Sequence, residues 1–282
     1  SVANSQVGKF YNLVDVAGST QINLVVSDAI VTEWNGTAVD GVWTTAANWT
    51  AGTPNAAGTL AKFGSLPGSP TTVAVSGPKI LGGLQFDNSN QYTITGGAGD
   101  TITVNNGVAA ASITVSSGNH LIDAPIVLVT SANATTAAGT ILTINGNISG
   151  PRSFTASGAG LTILTGTNSY TTTTVTGGTL QIGNNGTTGT LGSGDVTVEP
   201  GATLVFNRSD DILVGNSISG AAAQVTKLGA GVLSLTGANN FATSAGGMFN
   251  INGGTVRLDG PVALPPGVVL SLNGGTLDLN AQ

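Results

Sequence analysis

The chain contains no cysteine, so thiol catalysis, thiolate metal sites and disulfides are excluded together. Charge is nearly as scarce. Asp, Glu, Lys and Arg make up 7% of the 282 residues, against roughly 25% in ordinary soluble domains, so the surface must be built from hydroxyls, amides and backbone. The seven basic residues (Lys9, Lys62, Lys79, Arg152, Arg208, Lys227 and Arg257) are scattered and outnumbered by 13 acids, for a net charge of −6. Without a basic patch to neutralise phosphates, nucleic-acid binding is excluded. No apolar stretch reaches the ~18 residues of a membrane-spanning helix, the longest being interrupted between Asp123 and Thr130. The chain opens at Ser1 without a basic start and an apolar run, so any signal peptide is expected to have been removed. Lack of disulfides does not place the chain in the cytosol, because long repetitive surface proteins are stabilised by stacking alone.

Glycine, with 43 residues, and abundant Thr, Ser, Val and Ala fit many short strands joined by tight turns. No long segment carries apolar residues at helical spacing, and β-branched residues disfavour helix. At 40% hydrophobic residues the chain has ample material for a core.

Repetition organises this material. Gly-Gly-Thr followed by an alternating aliphatic pair occurs three times: Gly177-Gly178-Thr179-Leu180-Gln181-Ile182, Gly253-Gly254-Thr255-Val256-Arg257-Leu258 and Gly274-Gly275-Thr276-Leu277-Asp278-Leu279. The residue between the aliphatics changes freely while the aliphatics stay. Successive side chains of a strand point to opposite faces, so Leu180, Ile182, Val256, Leu258, Leu277 and Leu279 are expected in a core, with Arg257 and Asp278 facing water. A longer echo aligns residues 158–170 on 229–241 without gaps, with seven of 13 positions identical. Its offset is 71 residues, against 76 for the Gly-Gly-Thr element that follows, and the last two such elements lie 21 apart. Such a period is the length of one coil in a β-solenoid, whose coils bury their apolar faces only by stacking. If 21 residues make one coil, Arg257 and Asp278 stack as neighbours in a parallel ladder. About 13 such turns at ~4.8 Å would make a rod roughly 60 Å long, less whatever a cap consumes.

The expected organisation is an N-terminal strand and Trp-rich cap segment over 1–64 and solenoid repeats over 71–282, punctuated by Pro67-Gly68-Ser69-Pro70. The first part holds an alternating strand at 21–27 and all three tryptophans, Trp34, Trp43 and Trp49. Two readings of these rings stand side by side. They close the open end of the solenoid, where an uncovered edge invites aggregation, or they form a sugar-stacking or adhesive platform. Exposure of the indoles separates the two. Beyond the punctuation, alternating runs at 71–75, 83–86, 92–95, 101–104, 112–115 and 141–144 are each bounded by Gly, Asn, Asp or Ser.

Residues able to carry chemistry are few. His120 is the sole histidine, with Asp123 three residues on, but no serine stands in a nucleophile-elbow context. Glycoside cleavage needs two carboxylates about 5 Å or 6.5–9.5 Å apart. Asp210 and Asp211 would face opposite ways in a strand, and Asp195 and Glu199 would stand ~13 Å apart. The turns at Asp87-Asn88-Ser89-Asn90 and Asn207-Arg208-Ser209-Asp210-Asp211 offer oxygen ligands for calcium, without the nonapeptide regularity of calcium-loaded solenoids. The expectation is therefore no catalytic, cofactor or metal site.

The stretch 229–241 running on to 252–258, its second copy at 158–182, and the upstream Trp34-Asn35-Gly36, Trp43, Asn48-Trp49, Pro54-Asn55 and Ala61-Lys62-Phe63-Gly64 resemble the autotransporter-associated β-strand repeat of large bacterial surface proteins. That resemblance implies a right-handed parallel β-helix and an extracellular or cell-surface location, usually as a passenger or stalk. These 282 residues hold no membrane-embedded C-terminal barrel and stop at Gln282 just after a strand, so the expectation is either a chain cut from something longer or an open end covered by another molecule. An uncapped terminal coil there would display free backbone donors and acceptors, so the chain is expected to be a non-enzymatic scaffold that pairs with copies of itself into a filament or array. The alternative is an adhesin or glycan-binding module, with surface glycans as partner.

Overall fold

The computed structural model describes residues 9–16, 20–64, 71–240, 246–259, 264 and 267–279. The expected punctuation at 67–70, Phe241 of the longer echo and the last residues, 280–282, lie outside them. The chain is an all-β solenoid of about nine turns. Among the described residues the one helical element is the 3-10 turn Ala46–Asn48.

Each full turn runs through three sheets, all parallel. A nine-stranded sheet extends from Val31–Glu33 and Leu60–Phe63 to Val196–Val198 and Ile218–Ser219. A ten-stranded sheet extends from Thr71–Ala74 to Met248–Ile251 and Val269–Leu272. The third side is divided between two four-stranded sheets, one from Lys79–Leu81 to Ile148–Ser149 and one from Ile212–Val214 to Thr276–Asp278.

The register shows how alternation produces this stack. Ala61, Leu84, Ile113, Ala134, Ala156, Val175 and Val198 are successive Cα partners along the nine-stranded sheet. All of them are buried. One residue further along each strand, Lys62, Gln85, Thr114, Thr135 and Ser157 make the outer column, where the Thr135 and Ser157 hydroxyls bond at 2.9 Å. On the ten-stranded sheet, Ile94, Ile122, Ile144, Leu164, Ile182, Phe206, Lys227, Ile251 and Leu272 form a second inward column. Its members are buried from Ile94 to Ile251, while Leu272, on the sheet's last strand, is 55% exposed. A fully buried Val, Leu, Ile or Phe contributes about 1.5–3 kcal/mol, so these columns and the loops between them hold the stack.

The longer echo has a structural meaning that its spacing alone did not carry. Leu161–Leu164 pairs with Thr179–Gly186 in the ten-stranded sheet, whereas the equivalent Val232–Leu235 pairs with Thr255–Leu258 on the third side. The 71-residue offset is therefore not a whole number of turns. What repeats is a corner: a Gly-Ala-Gly turn with a Gly-Gly-Thr turn laid on it one coil later. At Gly254, φ is +60° and a Cβ would stand 2.5 Å from the carbonyl oxygens of both Gly229 and Gly231. Only glycine admits that approach at that backbone angle.

Val256 and Leu258 are buried, and Leu277 packs against the core half-buried. Leu279 departs from expectation at 56% exposed. It lies one residue past Thr276–Asp278, the outermost strand of its sheet, with no described strand stacked above it. Gln181, expected to face outward, is buried because its Nε2 folds back to donate to the Gly183 carbonyl at 2.8 Å. The count of about nine turns also falls below the 13 reckoned from the period. Coil length is not constant: Thr32 pairs with Ala61 and Leu84 with Ile113, each 29 residues apart.

The first strands stand apart from the solenoid. Lys9–Asp15 and Ile22–Asp28 form an antiparallel hairpin, anchored by Tyr11, which is buried and bridges Gly107. Phe10 is half-buried with its ring against Gly58 and Gly107, while Leu13, Val14, Ile22, Leu24, Val25 and Val26 are exposed.

Candidate functional site

The three tryptophans lie in the connection from Val31–Glu33 to Leu60–Phe63, and all are buried. Trp34 and Trp49 meet edge to face at 5.1 Å, Trp43 and Trp49 at 4.8 Å, and all three rings contact Phe63. From Phe63 the column continues inward through Phe86, stacked at 5.1 Å, to the imidazole of His120 at 4.8 Å. Each such aromatic pair adds about 0.5–1.5 kcal/mol beyond its buried area. The Trp43 indole N–H donates to the Pro54 carbonyl and that of Trp49 to the Trp43 carbonyl. Trp34 Nε1 has no hydrogen-bond partner among the described residues. Buried edge-on and tilted against one another and Phe63, these rings present no stacking surface to a sugar.

His120 belongs to the same cluster. Its Nδ1 accepts from the Tyr92 backbone N–H at 3.0 Å, and its Nε2 lies 2.8 Å from the Ser117 carbonyl, which assigns the proton to Nε2. Burial pushes its pKa below 6.5, against two weaker backbone hydrogen-bond effects. Both ring nitrogens are occupied, and Asp123 is held elsewhere by Asn145 Nδ2 at 2.7 Å. The pair is not brought together.

The carboxylate candidates are likewise engaged in turns. Arg208 Nε donates to Asp210 Oδ1 at 2.8 Å, and this bond holds the Asp210 carboxyl below its ordinary range. Asp211 Oδ1 instead caps the Val232 backbone N–H at 2.8 Å. Asp195 and Glu199 flank Val196–Val198 as exposed residues. In the other candidate calcium turn, Asp87 accepts from Ser117 Oγ, and Asn88 uses its amide oxygen for the Asn90 N–H. Among the described residues no three His, Cys, Asp or Glu side chains converge on a common point, and no helix is long and apolar enough to cross a membrane.

Arg257 and Asp278 are Cα partners, as their 21-residue spacing requires. The guanidinium reaches further than its neighbour. Its Nε donates to Asp259 at 2.9 Å and its Nη2 to Ser234 Oγ, one coil away, at 2.8 Å. The hydrogen bond to Asp259 chiefly raises its pKa, with a smaller contribution from the Asp278 charge.

Two features escaped the reading of the sequence. Lys227 and Lys79, counted there among scattered bases, are buried. Lys227 occupies an inward position between Phe206 and Ile251 and turns its Nζ to the Gly229 carbonyl. Lys79 Nζ donates to the Ser76, Gly77 and Pro78 carbonyls. Burial lowers the pKa of both, opposed by nearby Asp211 and Asp100 respectively. In Gln224–Lys227 the inward alternation Val225, Lys227 was there to be seen. The second feature is a cleft of about 260 Å³ at a corner of the solenoid, lined by Val108, Ala109, Val129, Thr130, Ser131 and Arg152.

Compared with known proteins, the chain is 51% identical over 63 residues to the adhesin BmaC autotransporter of Brucella suis biovar 1 (strain 1330). That stretch is 22% of this chain and 2% of the relative. No family model matches the chain, and no solved structure matches it. The demonstrated likeness is thus a parallel β-solenoid that shares a segment with a bacterial autotransporter adhesin.

Proposed function

We propose that this chain is part of the exported passenger of a bacterial surface protein of the autotransporter-associated repeat family, where it serves as a non-enzymatic scaffold. One observation carries the reading: the inward columns bury the conspicuous residues of the sequence, tryptophans and histidine included, while ladders of hydroxyl and amide side chains occupy the outside. That division suits a spacer whose exterior is free to vary. Self-association through the outer strands belongs to the same proposal. Val269 and Leu272 on the outermost described strand of the ten-stranded sheet are 52% and 55% exposed, and a strand edge left unpaired templates further pairing. Light scattering across a concentration series, with electron microscopy of the same samples, tests it. Association that grows with concentration and is lost in Val269→Asp/Leu272→Asp is the expected result, and a strictly monomeric species at high concentration overturns it.

A second reading, an adhesin or glycan-binding module, draws on the adhesin named above. Under it the recognition site lies away from Trp34, Trp43 and Trp49. Adherence of protein-coated beads to host cells would support it, and coated beads that adhere no better than bare ones would remove it.

A further inference from the structure

We propose that the cleft beside Arg152 binds a carboxylate-bearing sugar. The argument begins with a census of cations. Lys9, Lys62, Arg208 and Arg257 are each paired with a carboxylate, and Lys79 and Lys227 are buried against backbone carbonyls. Among the described residues, Arg152 alone of the seven basic residues is exposed without an acidic partner. Its guanidinium is nevertheless held in place, because Nε donates to the Val129 carbonyl at 2.9 Å. That bond leaves both Nη groups, four N–H donors in a planar fork, without a protein acceptor among the described residues. Such a fork matches a carboxylate bidentately.

The rest of the cleft offers the same kind of valence. Thr130 Oγ1 already accepts from the Asn106 backbone N–H at 3.2 Å, and Ser131 Oγ accepts from Ser153 Oγ at 2.8 Å. Each hydroxyl therefore keeps its own hydrogen to donate. Val108, Ala109 and Val129 supply apolar wall between these donors. Hydroxyl donors and an apolar wall lining one cleft fit the oxygens and C–H face of a pyranose ring, and the guanidinium selects an acidic one. At about 260 Å³ the cleft suits one sugar unit, below the ~300–1,000 Å³ of drug-sized sites.

This proposal rests on the second reading above and is independent of self-association. It is tested by titrating the full chain with 3′-sialyllactose and with a glucuronate-terminated disaccharide, using lactose as the neutral control and a polyglutamate peptide as the protein-like one. Binding of an acidic sugar, absent for lactose and weakened about tenfold or more in Arg152→Ala, is expected from loss of a charge-assisted hydrogen-bonded pair. Arg152→Lys, which keeps the charge and loses the fork, should fall between. Equal binding to Arg152→Ala, or equal binding of lactose, overturns the assignment. Preference for polyglutamate overturns it in favour of an acidic protein partner. Adherence to cells without acidic-sugar binding would leave the adhesin reading standing and sink this one.

Discussion

Gly254→Ala separates two ways in which the solenoid depends on glycine. An added methyl group meets a left-handed backbone, φ +60°, and also two carbonyl oxygens of the coil below at 2.5 Å. Alanine in the left-handed region costs about 1–2 kcal/mol, and forcing a methyl into a packed contact costs about 1–3 kcal/mol more when backbone must move. The expected destabilisation is therefore about 2–5 kcal/mol. Gly139→Ala is the matched control, since φ there is +76° but nothing lies within 4 Å of the added Cβ. It should cost only the backbone component, about 1–2 kcal/mol, and the smaller unfolded-state entropy of alanine acts alike in both variants. Urea unfolding followed by far-ultraviolet circular dichroism measures each. Because a solenoid can open locally, hydrogen exchange at the Thr276 amide, which donates to the Gly254 carbonyl at 2.9 Å, should accelerate in Gly254→Ala and not in Gly139→Ala. Equal costs for the two variants would refute close stacking of the corners.

Three further outcomes follow from the buried groups. For His120 the folded pKa is depressed below 6.5, so the unfolded state binds more protons as the medium acidifies. Stability should fall as pH drops below about 6.5 towards the folded pKa, and His120→Phe, which keeps the stack, should abolish that pH dependence at a constant cost from the orphaned Tyr92 N–H. Lys227 also has a depressed pKa; stability should therefore rise with pH as the ordinary lysine pKa of 10.5 is approached, and thermal melts of Lys227→Met should lack the rise and be unchanged or stabilised by about 1 kcal/mol or more at neutral pH. Trp43→Ala should destabilise by about 3–5 kcal/mol, and acrylamide should quench the native tryptophan fluorescence only weakly, whereas strong quenching would place the indoles at the surface.

The stack was legible in the sequence because strand alternation is local. Val256 and Leu258 flank Arg257 in three consecutive residues, and the 21-residue spacing to Leu277 and Asp278 is one coil, as the register has it. What eluded the sequence depends on neighbours that spacing does not specify. Leu279 has the same pattern as Leu258, yet burial requires a strand above, and the pattern cannot supply one. Lys227 sits where alternation demands an aliphatic, but charge argues for the surface until the Gly229 carbonyl is seen within its reach. The indoles were flagged by their concentration alone, and only packing against Phe63 and Phe86 decides their direction. The cleft at Arg152 had no signal at all, since Val108, Thr130 and Arg152 belong to three different coils.

The absence of cysteine makes the central claim directly measurable. Ser112 and Ser219 belong to one outer column, linked by the successive Cα partners Asn133, Thr155, Thr174 and Thr197. Five parallel steps of ~4.8 Å place them about 24 Å apart. Spin labels on Ser112→Cys/Ser219→Cys, read by pulsed electron double resonance, should give one narrow distance near that value plus the reach of the labels. A broad distribution, or a separation well beyond about 40 Å, would contradict an in-register parallel stack.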